Sequence, residues 1–531
     1  MRVESSARDG TDGQVPLHPS SLNSIVLLSG TQPVQVLTPF LALAPLECKA
    51  RNFRKSVTLD PMTNNAIPTP NEARAALEAQ LPFIEDALTE LIAFQSIHSV
   101  PELDEHNDGA ADWVVRQFRE VGVPVEAYPT SDGSKSVIGL REPEDGYPTV
   151  LLYSHFDVQP AGNVDAWTSD PWTLTERDGR WYGRGTADCK GSVSMHLGTL
   201  RALNELAEQY PVLKKVGIRV VVEGSEERGG YGLENLLAER PELFAADVFL
   251  IADSGNDSVG VPSLCTALRG SAAVTVRLQT LEQPLHSGQF GGAAPDATVE
   301  LIKLLSTLHD EKGLVAVEGL APSTTWEGVG PDEATFRRDA GVLDGVEVYG
   351  ADQGLNPNDL TVARPAITVT AIDALPVKDA VNAVPAESAA VVSLRVPPGM
   401  EPKECQDLLV AHLEKHAPNA KMSIERESLA EPFSADLTGP ALQRLAGALG
   451  DSYAAASGKE HMDIAEVASG GSIPLTNKLL SAHPGAELAL YGLAEPQARI
   501  HSADESVDPT EIHSVGAAQL LFLARTAAEV N

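Results

Sequence analysis

Thr149-Val-Leu-Leu-Tyr-Ser-His155-Phe-Asp157 is a short apolar run that ends in two side chains able to bind a metal. Two further runs have the same build: Val220-Val-Val-Glu223-Gly-Ser-Glu226-Glu227 ends in carboxylates, and Leu250-Ile-Ala-Asp253 ends in an aspartate. Continuous apolar runs of this length suit strands buried on both faces. Helical patterning over 192–209 and 233–243 lies between them, and strands alternating with helices predict a mainly parallel sheet covered by helices. In open parallel sheets functional groups collect beyond the carboxyl ends of the strands. The expected fold class is therefore α/β, with a site assembled from separate loops along that edge.

Upstream, Thr69-Pro70-Asn71-Glu72 carries a cap residue, a proline at the first helical position and a carboxylate three residues on, which predicts a capped helix running toward Phe94. Residues 1–61 have no sustained period and are expected to be a disordered tail or an over-extended reading frame with the true start at Met62. From Cys265 the pattern changes. Alternating strands over 272–278 and 389–396, helices over 295–308 and 402–415, a Gly/Pro/Asp-rich stretch over 318–365 and a strand over 421–426 read as a separate α+β insert. A helix over 442–456 and a strand over 487–491 then return to the first domain. The expected division is an α/β domain from 62–264 and 432–531, interrupted by an insert over 265–431.

At ~150 residues per domain, the length of 531 allows roughly three domain-sized units. Hydrophobic residues make up 43% and charged residues 21%, ordinary globular values that exclude wholesale disorder, collagen and coiled coil. The formal charge of −35 repels phosphate backbones and anionic lipid, so no nucleic acid and no membrane surface is expected as partner. The apolar stretch from Ile25 to Leu46 is broken by Gly30, Pro33, Pro39 and Pro45, which argues against a membrane span or signal peptide. Cys48, Cys189, Cys265 and Cys405 form no CxxC pair or short-spaced framework, and reduced thiols in a cytoplasm are expected.

Two more segments add ligand chemistry. Tyr182-Gly-Arg-Gly-Thr-Ala-Asp188-Cys-Lys-Gly191 presents Asp188 on a glycine-rich loop just before a helix, and Ile500-His501-Ser502 offers a late imidazole. Taken singly, a histidine at a strand end is more often structural than a ligand, and a Glu-Glu pair is more often a solvated surface. It is their joint placement at strand ends that argues for a metal site. Histidine and carboxylate donors without thiolates suit Zn²⁺, Mn²⁺ or Co²⁺, and an aspartate can bridge two ions about 3.5 to 4 Å apart. No GxSxG elbow, no GxxxxGK[ST] loop and no complete dinucleotide fingerprint occurs.

His155-Phe-Asp157, Gly183-Arg-Gly-Thr-Ala-Asp188-Cys-Lys-Gly191, Glu223-Gly-Ser-Glu226-Glu227, Asp253, His286-Ser-Gly288 and His501 together resemble the M20 family of metallopeptidases. The match in order and spacing runs from about residue 70 to the C-terminus, and the long insert is similar to that of the dipeptidase and carnosinase-like branch. The resemblance implies a ferredoxin-like lid and dimerisation domain over 265–431, and two divalent ions, zinc first and manganese or cobalt as alternatives. One ion would be held by His155, Asp188 and Asp253, the other by Asp188, Glu227 and His501. It further implies that Asp157 hydrogen-bonds the His155 ring, that Glu226 is the general base acting on a hydroxide between the ions, and that Glu223 is the second choice of base. His286 would reach the partner subunit's site and stabilise the oxyanion, which implies a homodimer. Asn382 in Asn382-Ala-Val-Pro385, Arg395 in Ser393-Leu-Arg395-Val-Pro397 and Ser472 in Gly470-Gly-Ser472-Ile-Pro474 resemble substrate-binding positions, with Arg395 suited to a bidentate grip on a carboxylate.

Two departures from the family pattern stand out: Ala468 replaces an arginine often found two residues before the Gly-Gly pair, and Cys189 replaces a polar residue. The peptide at that point is often cis in the family, which makes Asp188–Cys189 a candidate cis bond. The implied reaction is hydrolysis of a dipeptide or very short peptide by a cytoplasmic enzyme. The alternative is an N-acyl amino acid deacylase of the same family, sharing the same ligands.

Overall fold

The computed structural model describes residues 66–320 and 324–530; the expectations for 1–61, including a start at Met62, lie outside the described residues. Among the described residues the largest sheet has nine strands. Its centre pairs in parallel: Gly217–Glu223, Thr149–His155, Val248–Ile251 and Glu487–Leu490 lie side by side in that order. The apolar runs explain why. Val150 and Leu152 face one core with Val220, Val222 and Leu250, while Leu151 and Tyr153 face another with Val221, Phe249 and Ile251. With both faces apolar, each strand must be covered on both sides, at about 1.5–3 kcal/mol for each large side chain buried.

Helices Pro70–Glu78, Lys190–Leu206, Pro440–Ser457 and Pro509–Ala528 supply the first core; Tyr231–Glu239 and Leu475–Ala482 supply the second. Thr69 opens the first helix as a capping box, accepting from Glu72 N while its own N–H donates to the Glu72 carboxylate at 2.8 Å. The expected single helix toward Phe94 is in fact two, Pro70–Glu78 and Leu81–Ile92. Pro82 has no N–H to continue the ladder and clashes with the preceding turn, so the chain restarts there. Lys190 then projects into the end of the second helix, where its ammonium donates to the Leu91 and Phe94 carbonyls at 3.0 and 2.6 Å.

Both flanks of the sheet carry antiparallel pairs, which strand–helix alternation does not foretell, although Ala465–Ser469 joins Ser263–Leu268 in parallel. Val125–Pro129 and Lys135–Arg141 form a hairpin that joins Gly217–Glu223, and Ser263–Leu268 runs antiparallel to Glu487–Leu490. A second sheet is antiparallel throughout, in the order Ala366–Asp373, Glu387–Val396, Gly270–Gln279, Lys421–Ala430. Helices Ala297–Leu305 and Pro402–Lys415 pack on it through Leu301, Leu304, Leu409 and Leu413. The chain order β-α-β-β-α-β with this strand order is ferredoxin-like. Within the Gly/Pro/Asp-rich stretch, helix Glu333–Asp339 forms, and Val329 N donates to Glu466 O at 2.9 Å. No helix among the described residues is long and apolar enough to cross a membrane.

Candidate active site

The strand ends deliver their side chains to one place. His155, wholly buried, closes its strand level with Glu223 on the neighbouring one. Its Nε2 lies 3.0 Å from Asp188 Oδ1 and 3.3 Å from Asp253 Oδ1. The other oxygen of Asp188, Oδ2, lies 3.0 Å from His501 Nε2, which is 3.1 Å from Glu227 Oε2. Each oxygen of Asp188 therefore faces its own imidazole, and each imidazole has a second carboxylate beside it. His155, Asp188, Asp253, Glu227 and His501 are brought together.

Asp157 meets the His155 ring mainly through its backbone. The His155 ring places Nδ1 3.0 Å from the Asp157 backbone carbonyl, and the Asp157 carboxylate is farther off at 3.5 Å. In a neutral ring, Nδ1–H donating to that carbonyl would leave the Nε2 lone pair directed at the carboxylate cluster, the tautomer a ligand needs. The Asp157 carboxylate instead accepts from Glu226 N at 3.1 Å and Glu227 N at 3.0 Å. A carboxylate across two successive N–H groups locks the turn Glu226–Arg228, so the two adjacent glutamates diverge. Gln159, unforeseen, donates to Glu227 Oε2 at 3.0 Å.

Charge is crowded here. Burial, then the Asp253 charge, pushes Glu226 well above the usual carboxylate range, and burial raises Glu227. Hydrogen bonds donated by His501 to Asp188 and Glu227 push its ring up to about 10. Burial opposes protonation of His155, yet the Asp253 charge and the hydrogen bonds with Asp157 and Asp188 hold the ring well above the imidazole range. Among the described residues no lysine or arginine pairs with Asp188, Glu226, Glu227 or Asp253. A buried acidic cluster without such partners is costly. Its imidazole nitrogens and carboxylate oxygens fit two divalent cations sharing Asp188, and the donor set is that of zinc, manganese or cobalt. The sulfur of Cys189 also lies within 4.8 Å of donor atoms on His155 and Asp253, but its thiol donates to the Ala252 carbonyl at 3.2 Å and burial holds it protonated. The Asp188–Cys189 peptide is cis. Glu223 accepts from Tyr153 Oη at 2.8 Å beneath the site.

The loop that carries His501 is bent sharply. Arg499, His501 and Asp504 have φ of 53°, 60° and 60°, a region that costs a non-glycine residue about 1–3 kcal/mol unless its surroundings hold it there.

The remaining expected positions form two groups. His286 is exposed, accepts from Gly288 N at 3.1 Å and pairs with Ala383, while Asn382 O accepts from Ser287 N at 3.0 Å. His286 and Asn382 are thus neighbours, and within the chain they make no contact with the acidic cluster. Arg395 Nη1 lies 3.4 Å from Ser472 Oγ, which joins the second sheet to the Gly470–Ser472 turn. Arg269, also unforeseen, braces that turn by donating from Nε to Gly470 O at 3.1 Å; a Cβ on residue 470 would meet Arg269 Nη2 at 2.7 Å and the Thr361 carbonyl at 3.0 Å, so a larger residue there would displace the Arg269 side chain. Gln159 and Arg269 act on backbone and carboxylates far away in sequence, and no local pattern marks them.

The cysteinylglycine-S-conjugate dipeptidase of Corynebacterium striatum is 46% identical over 457 residues, which span 86% of this chain and 96% of that protein. The Cys-Gly metallodipeptidase dug1 of Schizosaccharomyces pombe is 31% identical over 57% of this chain and 67% of its own. Among solved structures, human carnosine dipeptidase 1 superposes with a TM-score of 0.72 at 22% identity, covering 87% of this chain and 100% of that one, a likeness of fold. The profile of peptidase family M20/M25/M40 matches residues 151–525. With strand ends, cluster and relatives in agreement, the chain belongs to peptidase family M20/M25/M40 and is a metallopeptidase of its dipeptidase branch.

Proposed function

We propose that this chain hydrolyses the peptide bond of free dipeptides and very short peptides with the aid of two divalent cations, zinc first among them. The observation that carries the reading is Asp188, whose two oxygens face two separate histidine–carboxylate sets. His155, Asp188 and Asp253 would hold one cation; Asp188, Glu227 and His501 the other. Bound there, the pair supplies Lewis-acid polarisation of the scissile carbonyl and eases deprotonation of water. Glu226 takes the proton from the attacking water and hands it to the leaving amine. Asp157 aims Glu226 and Glu227 through their backbone N–H groups. Arg395, steadied by Ser472, grips the substrate carboxylate, while His286 of the partner subunit, with Asn382 beside it in the chain, donates to the oxyanion. Relatives named for Cys-Gly and β-Ala-His dipeptides support a dipeptide over an N-acyl amino acid.

A panel of free dipeptides, dipeptide amides and N-acetyl amino acids, offered to metal-loaded and chelated protein, tests this. Free dipeptides should be cleaved only by the loaded form. Their amides, which lack the group Arg395 holds, should be cleaved at least ten times more slowly. Turnover confined to N-acetyl compounds would make the chain a deacylase, and elemental analysis of the purified protein would identify the metal.

The segment over 265–431 is read as lid and dimerisation domain, except that its first residues, to Leu268, complete a strand of the large sheet; the hinge lies where the chain leaves that sheet at Arg269 and returns near Phe433. Strand Ala366–Asp373 is an edge, and Ile302, Ile372, Leu375 and Val377 are exposed on this unit, Val377 to 94%. An open edge beside exposed apolar side chains suits a second copy of the chain. Ile302→Arg should shift the protein to monomer in sedimentation velocity and lower activity with it, because His286 serves the neighbouring site. A dimeric, fully active variant would place the interface elsewhere. Cytoplasmic location is supported by Cys189, Cys265 and Cys405 being unpaired and buried, and cell fractionation checks it.

A further inference from the structure

We infer that Glu505 is a positioning residue, fixing the loops that carry Asp188 and His501 and thereby setting the affinity of the site formed by Asp188, Glu227 and His501. The inference rests on the two-cation reading above. Glu505 is wholly buried, and each of its oxygens accepts twice. Oε1 takes Ala187 N and Asp188 N, both at 3.1 Å; Oε2 takes Gly185 N at 3.0 Å and Arg184 Nη1 at 2.6 Å. Its own carbonyl accepts from Gly183 N at 3.0 Å. The whole 183–188 loop is thus strung on one residue four places beyond His501.

Arg184, itself buried, closes the arrangement from the other side, its Nη2 donating to Ser502 O at 3.3 Å and Pro160 O at 3.2 Å. The backbone of His501 sits in a left-handed conformation that is uncommon for a residue other than glycine. Asp504 anchors the far side of the loop on Thr168 and Arg177, and Glu505 ties it to Asp188. The imidazole and the carboxylate that must meet at one cation are held to each other by this carboxylate. No other side-chain type fits the four donors. Glutamine has the shape, but its amide NH₂ would face two N–H groups.

The test uses manganese ion alone, titrated into chelator-treated full-length protein and followed by the electron paramagnetic resonance of free Mn²⁺. Wild type should show two binding events. In Glu505→Gln one event should weaken 10–100-fold, the range seen when the outer partners of metal ligands are removed, while the other, which shares Asp188 but not His501, should weaken by a clearly smaller factor. Arg184→Lys keeps the carboxylate and a cation but loses the fork to Ser502, and should weaken the same event by a smaller factor. It also carries the test if Glu505→Gln does not fold. Both events unchanged in either folded variant, or both weakened equally, would overturn the inference and leave Glu505 as part of a buried ion pair that serves stability alone. Absence of any Mn²⁺ binding by wild type would instead overturn the two-cation reading, and the inference with it.

Discussion

Glu226→Gln is expected to leave metal content at the wild-type level and to lower kcat by roughly 10²–10⁴-fold, the usual contribution of a positioned general base. The glutamine fits the same space, keeps the backbone N–H that Asp157 accepts, and leaves His155, Asp188, Asp253, Glu227 and His501 untouched. What it removes is the capacity to take a proton. The pH profile should change in step: kcat/KM of wild type falls as acid protonates Glu226, and that acid limb should vanish in the variant. Stability moves the other way. Burial and the Asp253 charge raise Glu226 in the folded chain, so the native state binds more protons than the unfolded one. The metal-free protein therefore loses stability as pH rises above the ordinary carboxylate value near 4.5, and the glutamine variant should show less of that loss in thermal melts across pH. Unchanged activity with full metal content would take the base role from Glu226.

Much of this site was legible because the chemistry sits where the strands stop. The runs ending at His155, Glu223–Glu227 and Asp253 are short, apolar and doubly buried, so their pattern marks both the sheet and the edge where ligands gather. The antiparallel flanks were less visible. Val125–Pro129 is only partly buried along its length, and half-buried hairpins weaken the apolar signal that identifies central strands. Residues that hold the ligands were less visible still. Asp157, Gln159 and Glu505 spend their oxygens and amides on partners such as Glu227 and Asp188, 70, 68 and 317 residues away, and such pairings leave no period in a sequence. The break at Pro82 is a different case, since proline itself announces it despite the capping signal at Thr69.

The two levels meet in the division of labour around Glu226 and Glu227. Adjacent residues on an extended strand point to opposite faces, and on a helix they point about 100° apart. Here a single turn, gripped by Asp157 from below, sends one carboxylate to the ligand cluster and leaves its neighbour at the same cleft without a hydrogen-bonding partner among the described residues. In the proposed reaction a ligand must be held and a base must be free, and the turn Glu226–Arg228 suits both with consecutive residues.

Asp188→Asn carries the largest expected effect on metal content. Asp188 is the one residue common to both donor sets, with Oδ1 toward His155 and Oδ2 toward His501. Asparagine retains one carbonyl oxygen and turns the other contact into an NH₂, which repels a cation and offers no lone pair. One set loses its shared ligand outright, and the other keeps a neutral oxygen in place of a charged one. Elemental analysis should find the chain holding one cation or fewer, and dipeptide turnover should drop to that of the chelated control. His501→Ala should be milder, since it removes a ligand from one set and leaves His155, Asp188 and Asp253 complete: one cation should remain, with a kcat above that of Asp188→Asn. If the two variants lose metal and activity to the same extent, Asp188 is not shared, and the two sets bind their cations independently.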